Sequence, residues 1–251
     1  METSTASFTA TVGRRLGIAG LAALSGGVLI LGVGGRLAMR LSGAMALSAD
    51  PGTRFMLTGD GFQVGRITLD GSLGLVIFGG IFGSIVAGVY WALLKDRLPA
   101  RRQLLWAGLA AAAIGGNFLV HPDNIDFVIL KPVVANVMLY PMLTGLAGVV
   151  IVLIDRRLTQ RLSQSKNVGL TFIAVLGMAL AALLAVGAGG DDLFLTVELA
   201  ALAALTLPIW VAESRGMAPH PMLVAATTVV AAIVVLVEWV QLVWSAAVIV
   251  A

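Results

Sequence analysis

The polar residues between positions 117 and 136 carry the densest chemistry in a chain otherwise dominated by Ala, Leu, Val and Gly. His121, Asp123, Asn124 and Asp126 lie within one short stretch, which also holds one of the two histidines of the chain. His121 with Asp126 could act as a general acid/base pair on a lipid-linked or periplasmic substrate. A histidine that only caps a loop fits the same pattern. We treat this stretch as the candidate functional surface.

Composition identifies the kind of protein that must position these residues. Hydrophobic residues make up 59% of the chain and charged residues 12%, with a mean hydropathy of +1.00. Soluble domains carry about 25% charged residues, so this chain cannot cover itself with a polar surface. The absence of cysteine excludes disulfides, thiolate nucleophiles, Cys-bound zinc and iron–sulfur ligation. A membrane protein is therefore predicted.

Hydropathy predicts an all-α polytopic membrane bundle that forms one transmembrane domain, residues 1–251. The seven predicted transmembrane helices are 16–35, 73–94, 104–120, 132–154, 168–187, 193–212 and 222–251. Residues 1–15 are predicted to be a cytoplasmic tail that lacks regular structure up to Val12. A twin arginine before an apolar run can also mark a secretion signal, with Ala44-Met45-Ala46 resembling a cleavage site. The length of the run favours a retained anchor.

The segment after the first predicted span contains features of a membrane surface. Arg36 and Arg40 share one helix face, which suits either arginines that reach lipid phosphates or a ligand clamp. Residues 50–70 form the longest polar insert, an external loop in which Gly59-Asp60-Gly61 could turn a short β-hairpin or a structured loop. Asp70 suits an N-cap for the next helix. Lipid phosphates are the favoured partners of the two arginines.

The distribution of charge predicts the orientation. With the N-terminus inside, the inner segments hold most of the basic residues: Arg14, Arg15, Lys95, Arg97, Arg101, Arg102, Arg156, Arg157, Arg161, Lys166 and Arg215. The outer segments are acidic: Asp50, Asp60, Asp70, Asp123, Asp126, Asp191 and Asp192. Positive loops remain on the cytoplasmic side, so the C-terminus is predicted to be outside. The basic residues flank apolar runs, which favours contact with anionic lipid and argues against a nucleic-acid partner.

Two stripes of small residues in the second predicted span indicate close helix contact. Gly79, Gly83 and Ala87 recur at every fourth position, and Gly80, Ser84 and Gly88 form the neighbouring stripe. Small side chains let helix backbones approach each other in a bilayer. This packing could lie within the protein or between protomers.

Several polar residues inside the predicted spans lie at a similar depth, near the outer loop. These are Asn117, Asn136, Glu198, Glu238 and Gln241. Ionisable groups in a bilayer tend to face a cavity or a partner. We therefore predict an outward-opening ligand pocket formed by Asn117, His121, Asp123, Asp126, Asn136, Glu198 and Glu238. Asparagines that bond across a helix pair, with glutamates that are protonated or paired with Arg36, Arg40 or Lys131, explain the same residues.

No cofactor follows from these residues. A bis-histidine haem would need two ligands on one side of the membrane, whereas His121 is predicted outside and His220 inside. A retinal protein would need a lysine in the last span, and residues 222–251 contain none. His121, Asp123 and Asp126 are too few ligands to predict a metal. No Gly-x-Ser-x-Gly elbow accompanies a histidine.

Three functions from different classes remain open. The favoured one is a non-catalytic subunit or scaffold of a membrane complex in the plasma (inner) membrane of a bacterium, with lipid and other membrane subunits or a second copy as partners. A small transporter or channel would bind its substrate in the same pocket, and it would predict a repeat between the two halves of the chain. An outward-facing membrane enzyme would use His121 and nearby carboxylates.

Overall fold

The computed structural model describes residues 2–59, 61, 63–66, 68–162 and 193–251. The described part is 84% helical and contains no strand, which confirms the all-α prediction. In this part, four helices are long and apolar enough to cross a membrane: Val12–Ala49, Leu69–Leu94, Val133–Leu162 and Pro221–Val250. The molecule is therefore an all-helical protein with several candidate membrane spans.

The first two candidate spans are long continuous helices, each with a π-helical segment inside. The first comprises α1 (Glu2–Gly27), a π segment (Val28–Gly34) and α2 (Gly35–Ala49). The helix begins at Glu2, so the prediction of an unstructured tail was wrong. Adding residues to an existing helix costs little compared with nucleating one, and the apolar run behind Val12 supplies the nucleus.

The second candidate span has the same arrangement of helical segments and packs against the first. It comprises α3 (Leu69–Leu75), a π segment (Val76–Phe82) and α4 (Gly83–Leu94). The two π segments touch: a β-carbon on Gly32 would lie 3.4 Å from the Val76 Cα atom and 3.6 Å from the Gly80 Cα atom. The small residues that meet here allow the two wide turns to come into contact.

One of the two small-residue stripes forms a helix interface. A β-carbon on Gly88 would lie 3.2 Å from both the Gly20 Cα atom and the Ala23 Cβ atom of α1. Ser84 of the same stripe is buried against Gly27. The prediction of close helix contact is confirmed for the stripe of Gly80, Ser84 and Gly88, and this contact lies within the chain.

Five further α-helices lie in the described part of the chain. They are α5 (Gln103–Leu119), the short α6 (Asp126–Ile129), α7 (Val133–Leu162), α8 (Leu193–Ser214) and α9 (Pro221–Val250). The predicted spans 104–120 and 193–212 coincide with α5 and α8, whereas 168–187 lies outside the described residues. A β-carbon on Gly148 of α7 would lie 2.7 Å from the Ala107 carbonyl oxygen of α5, so these two helices pack almost backbone to backbone.

The insert between α2 and α3 is a compact loop. Leu57 and Gln63 form an isolated antiparallel bridge, and no strand forms among the described residues, so the possible hairpin is reduced to this one bridge. Gly61 and Gly65 have φ angles of 79° and 75°, which L side chains rarely adopt. Thr68 caps α3 by accepting a hydrogen bond from the Gly71 amide at 3.2 Å. The cap predicted at Asp70 was therefore two residues too late, and Asp70 lies in the first turn.

Polar side chains collect at the two ends of the bundle. The insert end holds the insert, the loop from Val120 to Pro132 and the last turns of α9. The Arg15 end holds Arg15, Lys95, Asp155 and Glu213, which salt bridges connect between helices. The core between them is apolar, with Leu202, Ile209 and Val152 at most 1% exposed.

Candidate functional site

Two of the predicted site residues meet at the insert end of the bundle. The Asn117 side-chain amide of α5 donates to Glu238 Oε2 and to Gln241 Oε1 of α9, both at 2.8 Å. Glu238 is only 5% exposed. This polar bridge ties α5 to α9. It confirms that Asn117 and Glu238 share a depth and a location, as the sequence predicted.

A shallow groove of about 380 Å³ lies beside this bridge. His121 lines it together with Asn117, Gln241, Trp244 and Ser245. His121 and Asp123 are both exposed. The groove is open, so it offers little enclosure for a ligand.

Asn136 lies elsewhere and has a structural role. It is fully buried, and its side-chain amide donates to the carbonyl oxygens of Leu130 at 2.7 Å and Pro132 at 3.2 Å. Its Oδ1 atom accepts from the buried Ser42 hydroxyl of α2. Asn136 therefore holds the loop before α7 against α2. It does not line either the groove or the larger cavity described below.

Asp126 opens α6 and faces the insert. Its Oδ1 atom accepts a hydrogen bond from the Gly59 amide at 2.8 Å, which connects the insert to the loop before α7. The Asn124 side chain accepts from the Asp126 amide at 3.0 Å and sets the local turn. His121 and Asp126 line different depressions, and their action as an acid/base pair stays a prediction.

Glu198 lies on α8, and its side chain is outside the described part of the structure. Along the helix it is about 22 Å from Glu213 at the Arg15 end, at 1.5 Å per residue. The residues of the predicted shared pocket thus lie in separate places. Asn117 and Glu238 form the polar bridge, Asn136 is buried, and Asp126 lines a second depression. That these residues bind a ligand stays a prediction.

A cavity of about 490 Å³ occupies the opposite side of the insert end, between α2, α3, α7 and the insert. We call it the arginine pocket, because Arg36, Arg40 and Arg66 line it. Its other polar side chains are Thr58, Gln63, Asp70, Asp126 and Tyr140. The remaining lining consists of Met39, Gly43, Val64, Gly65, Gly71, Gly74, Leu75 and Leu130.

Neutral acceptors hold the three arginines. Arg40 donates to the Gly65 carbonyl oxygen at 3.0 Å, and Arg36 donates to the Arg66 carbonyl oxygen at 3.5 Å. Arg66 donates to Gln63 Oε1 at 3.4 Å. None of the three forms a salt bridge with a carboxylate of the described residues. Backbone carbonyl oxygens therefore position Arg36 and Arg40, and a side-chain amide oxygen positions Arg66.

Sequence reasoning assigned Arg36 and Arg40 to lipid phosphates and left them out of the predicted site. The informative signal was their spacing by four, which places both on one face of α2. What the spacing could not show is that the insert folds back over this face. Within the described residues, no group of three or more His, Asp or Glu side chains could hold a metal ion.

Comparisons with known proteins give no relative from which a function could be transferred to this chain. No protein-family model, no curated protein and no solved structure matches this chain. The arginine pocket has a volume of about 490 Å³ and collects three cations from two segments. It is the feature from which a function can be inferred.

Proposed function

We propose that this protein is a non-catalytic subunit or scaffold of a membrane complex and that the arginine pocket is its outward-facing binding site. The observation that carries this proposal is the pocket itself, in which three arginines share a cavity of about 490 Å³. Volumes of roughly 300–1,000 Å³ are typical of small-molecule pockets. The long apolar helices support placement in a membrane.

The chemistry of the lining favours binding over catalysis. Arginine keeps its proton at all physiological pH values, so it donates hydrogen bonds but does not shuttle protons. Three arginines therefore provide recognition and leave proton transfer to other groups. The side chain predicted as a general base, His121, lines the separate groove. A binding role thus uses the residues that the cavity brings together.

The charge pattern supports the orientation. Arg14, Arg101, Arg102 and Arg156 are exposed on segments of the Arg15 end. Basic segments stay on the cytoplasmic side of a membrane. The Arg15 end is accordingly proposed to be cytoplasmic, and the insert end to face outward in the plasma membrane of a bacterium.

Cysteine labelling tests this orientation cleanly because the chain has no cysteine. Arg54 at the insert end and Arg161 at the Arg15 end are both exposed. In intact cells, a membrane-impermeant maleimide should label the Arg54→Cys variant and should label Arg161→Cys only after the cells are broken. The reverse pattern would place the pocket inside and overturn the outward-facing site.

Purification in a mild detergent tests the binding role. The wild-type protein should co-purify with a stoichiometric protein or small molecule that mass spectrometry identifies. Arg36→Gln/Arg40→Gln should lose or weaken it, whereas the matched control Arg54→Gln, an exposed arginine outside the pocket, should retain it. An associated molecule that is retained equally by all three proteins would show that the pocket is not the site.

A transporter is the second candidate, and the two π-helical segments favour it. Val28–Gly34 and Val76–Phe82 lie in the middle of two candidate spans and contact each other. π-Helical turns are rare and frequently accompany functional sites. Uptake of a labelled solute into vesicles, lost when Gly32 or Gly80 is replaced by Leu in a protein that still folds, would support transport. Absence of any solute flux in loaded proteoliposomes would count against it.

A further inference from the structure

We propose that the arginine pocket binds a phosphate group that is carried by an amphiphile, such as the headgroup of a membrane phospholipid. This inference rests on the proposed function, because it names the ligand class of the same pocket. It follows from three features of the lining: the arrangement of cations, the way in which the carboxylates are used, and an apolar wall with open space.

The cations match the shape and charge of a phosphate. The planar guanidinium group presents several N–H donors in a fixed fork that suits phosphate oxygens. Arg36 and Arg40 approach from α2, and Arg66 approaches from the insert. Each guanidinium donates one hydrogen bond to a neutral oxygen of the described residues, at donor–acceptor distances of 3.0–3.5 Å. Because a guanidinium has five N–H donors, further donors are left to bind a phosphate. The Nε atom of Arg36 is buried without a hydrogen-bond partner among the described residues.

The two carboxylates of the lining serve the fold. Asp126 accepts the Gly59 amide and thereby connects the insert to the loop before α7. Asp70 lies in the first turn of α3, where a negative charge stabilises the helix N-terminus. Three arginines against two aspartates leave the lining with a net positive charge, which favours an anion.

The apolar wall fits the non-phosphate part of an amphiphile. Met39, Leu75 and Leu130 line the pocket next to the polar groups. Gly74 lies on the same wall, and a β-carbon built there would meet no other atom within 4 Å. There is therefore open space beside Gly74 at the wall of the pocket. A free phosphate ion would not use this space, whereas a lipid chain would.

The pocket also lies where lipid headgroups lie. Its walls include the first turns of α3 and residues 36–43 of α2, which lie in the second half of the first candidate span, and both helices belong to segments that are long enough to cross a bilayer. Headgroup phosphates occupy the interface just beyond the hydrocarbon region. The basic pocket and the phosphate layer would thus share the same depth.

Native mass spectrometry and thermal shift of the detergent-purified full chain test the proposal. The probes are phosphatidylglycerol, diacylglycerol with the same chains, and inorganic phosphate. Phosphatidylglycerol should bind and raise the melting temperature, and diacylglycerol should not. Because each substitution removes a charge-assisted hydrogen bond to the phosphate, Arg36→Gln and Arg40→Gln should each weaken phosphatidylglycerol binding about tenfold or more. Arg54→Gln should bind as wild type does.

Gly74→Leu distinguishes the two possible sources of the phosphate. The new side chain extends into open space, so the fold should tolerate it while the apolar part of the pocket is filled. Loss of phosphatidylglycerol binding in Gly74→Leu, with inorganic phosphate binding unchanged, supports a lipid phosphate. Inorganic phosphate that binds as tightly as the lipid, in wild type and Gly74→Leu alike, overturns the amphiphile in favour of a free phosphate. Binding that survives both arginine substitutions overturns the phosphate site.

The same data separate this inference from the proposed function. If none of the phosphate probes binds but a different molecule co-purifies and is lost in Arg36→Gln/Arg40→Gln, only the ligand class is wrong. If no molecule depends on these arginines, the binding role of the pocket itself is wrong.

Discussion

The two polar ends of the bundle differ in the salt bridges that their described residues form. At the Arg15 end, Lys95 lies 3.3 Å from Asp155, and Arg15 lies 2.8 Å from Glu213 and 3.4 Å from Asp96. At the insert end, Arg36, Arg40 and Arg66 donate to carbonyl or amide oxygens. Lys95 and Arg15 are thus paired with carboxylates, whereas Arg36, Arg40 and Arg66 form no salt bridge with a described carboxylate.

This difference predicts which charges stabilise the fold and which bind. The Arg15-end pairs connect helices that are far apart in sequence: α1 with α8, and α4 with α7. A hydrogen-bond chain extends this connection, because Gln103 donates to the Lys95 carbonyl oxygen at 3.0 Å and accepts from Arg156 at 3.1 Å. The arginine pocket is lined by the insert and by parts of α2, α3 and α7. Because the pocket is a cavity, water can take the place of a hydrogen-bond donor that a substitution removes. Substitutions at the Arg15 end should therefore mainly lower stability, whereas substitutions in the arginine pocket should mainly weaken ligand binding.

Asp155→Leu should cause the largest loss of stability. Lys95 and Asp155 have side chains that are only 13% and 10% exposed, so the variant leaves an ammonium group nearly buried without its carboxylate. Breaking such a pair costs about 3–5 kcal/mol. Unfolding in detergent, followed by tryptophan fluorescence, measures the loss. The double variant Lys95→Met/Asp155→Leu should recover most of it, and a single variant that melts like wild type would show that the pair is not structural.

Asn136→Leu should destabilise the insert end by about 1–3 kcal/mol, because it leaves the Leu130 carbonyl and the Ser42 hydroxyl without their partner. The same fluorescence experiment measures this. Ser42→Ala provides a matched control that removes only one of the contacts, and the two substitutions should be non-additive when combined. Additive effects would mean that Asn136 does not act through Ser42.

Arg15→Gln should cost less, about 0.2–1 kcal/mol, because its side chain is 29% exposed and its partners are 35% and 43% exposed. Arg15 also lies 5.9 Å from the Trp210 ring centroid, which adds a cation–π contact. Arg14→Gln, an exposed neighbour, should have no effect on the melting temperature. If Arg14→Gln destabilises as much as Arg15→Gln, net charge and not pairing is responsible.

Arg40→Gln should have the smallest effect on stability, within about 0.5 kcal/mol, since the residue is exposed and water can replace its bond to Gly65. Its effect on phosphatidylglycerol binding should nevertheless be about tenfold. The melting temperature without lipid and the binding curve with lipid measure the two quantities. A variant that loses stability and retains binding would reverse the contrast between the two ends.

The amino-acid sequence determined the helical class of the protein and the proximity of two of its polar residues. Helix period and hydropathy depend on local spacing, so the all-α membrane bundle and the interface of Gly80, Ser84 and Gly88 could be predicted. The same reasoning placed Asn117 and Glu238 at one depth, and they are bonded. It did not predict the helix through residues 2–11, because the small and polar side chains of this segment indicated a tail without regular structure.

Only the tertiary structure decided which polar residues face each other. Depth along a helix is fixed by 1.5 Å of rise per residue, but the direction around the bundle depends on how neighbouring helices pack. That direction buried Asn136 under a loop and put His121 and Asp126 in different depressions. The arginine pocket needs the insert to return over α2, and this depends on contacts such as Gly59 with Asp126, which are 67 residues apart. Local spacing carries no information about such a contact, which is why the arginine pocket was absent from the predicted site.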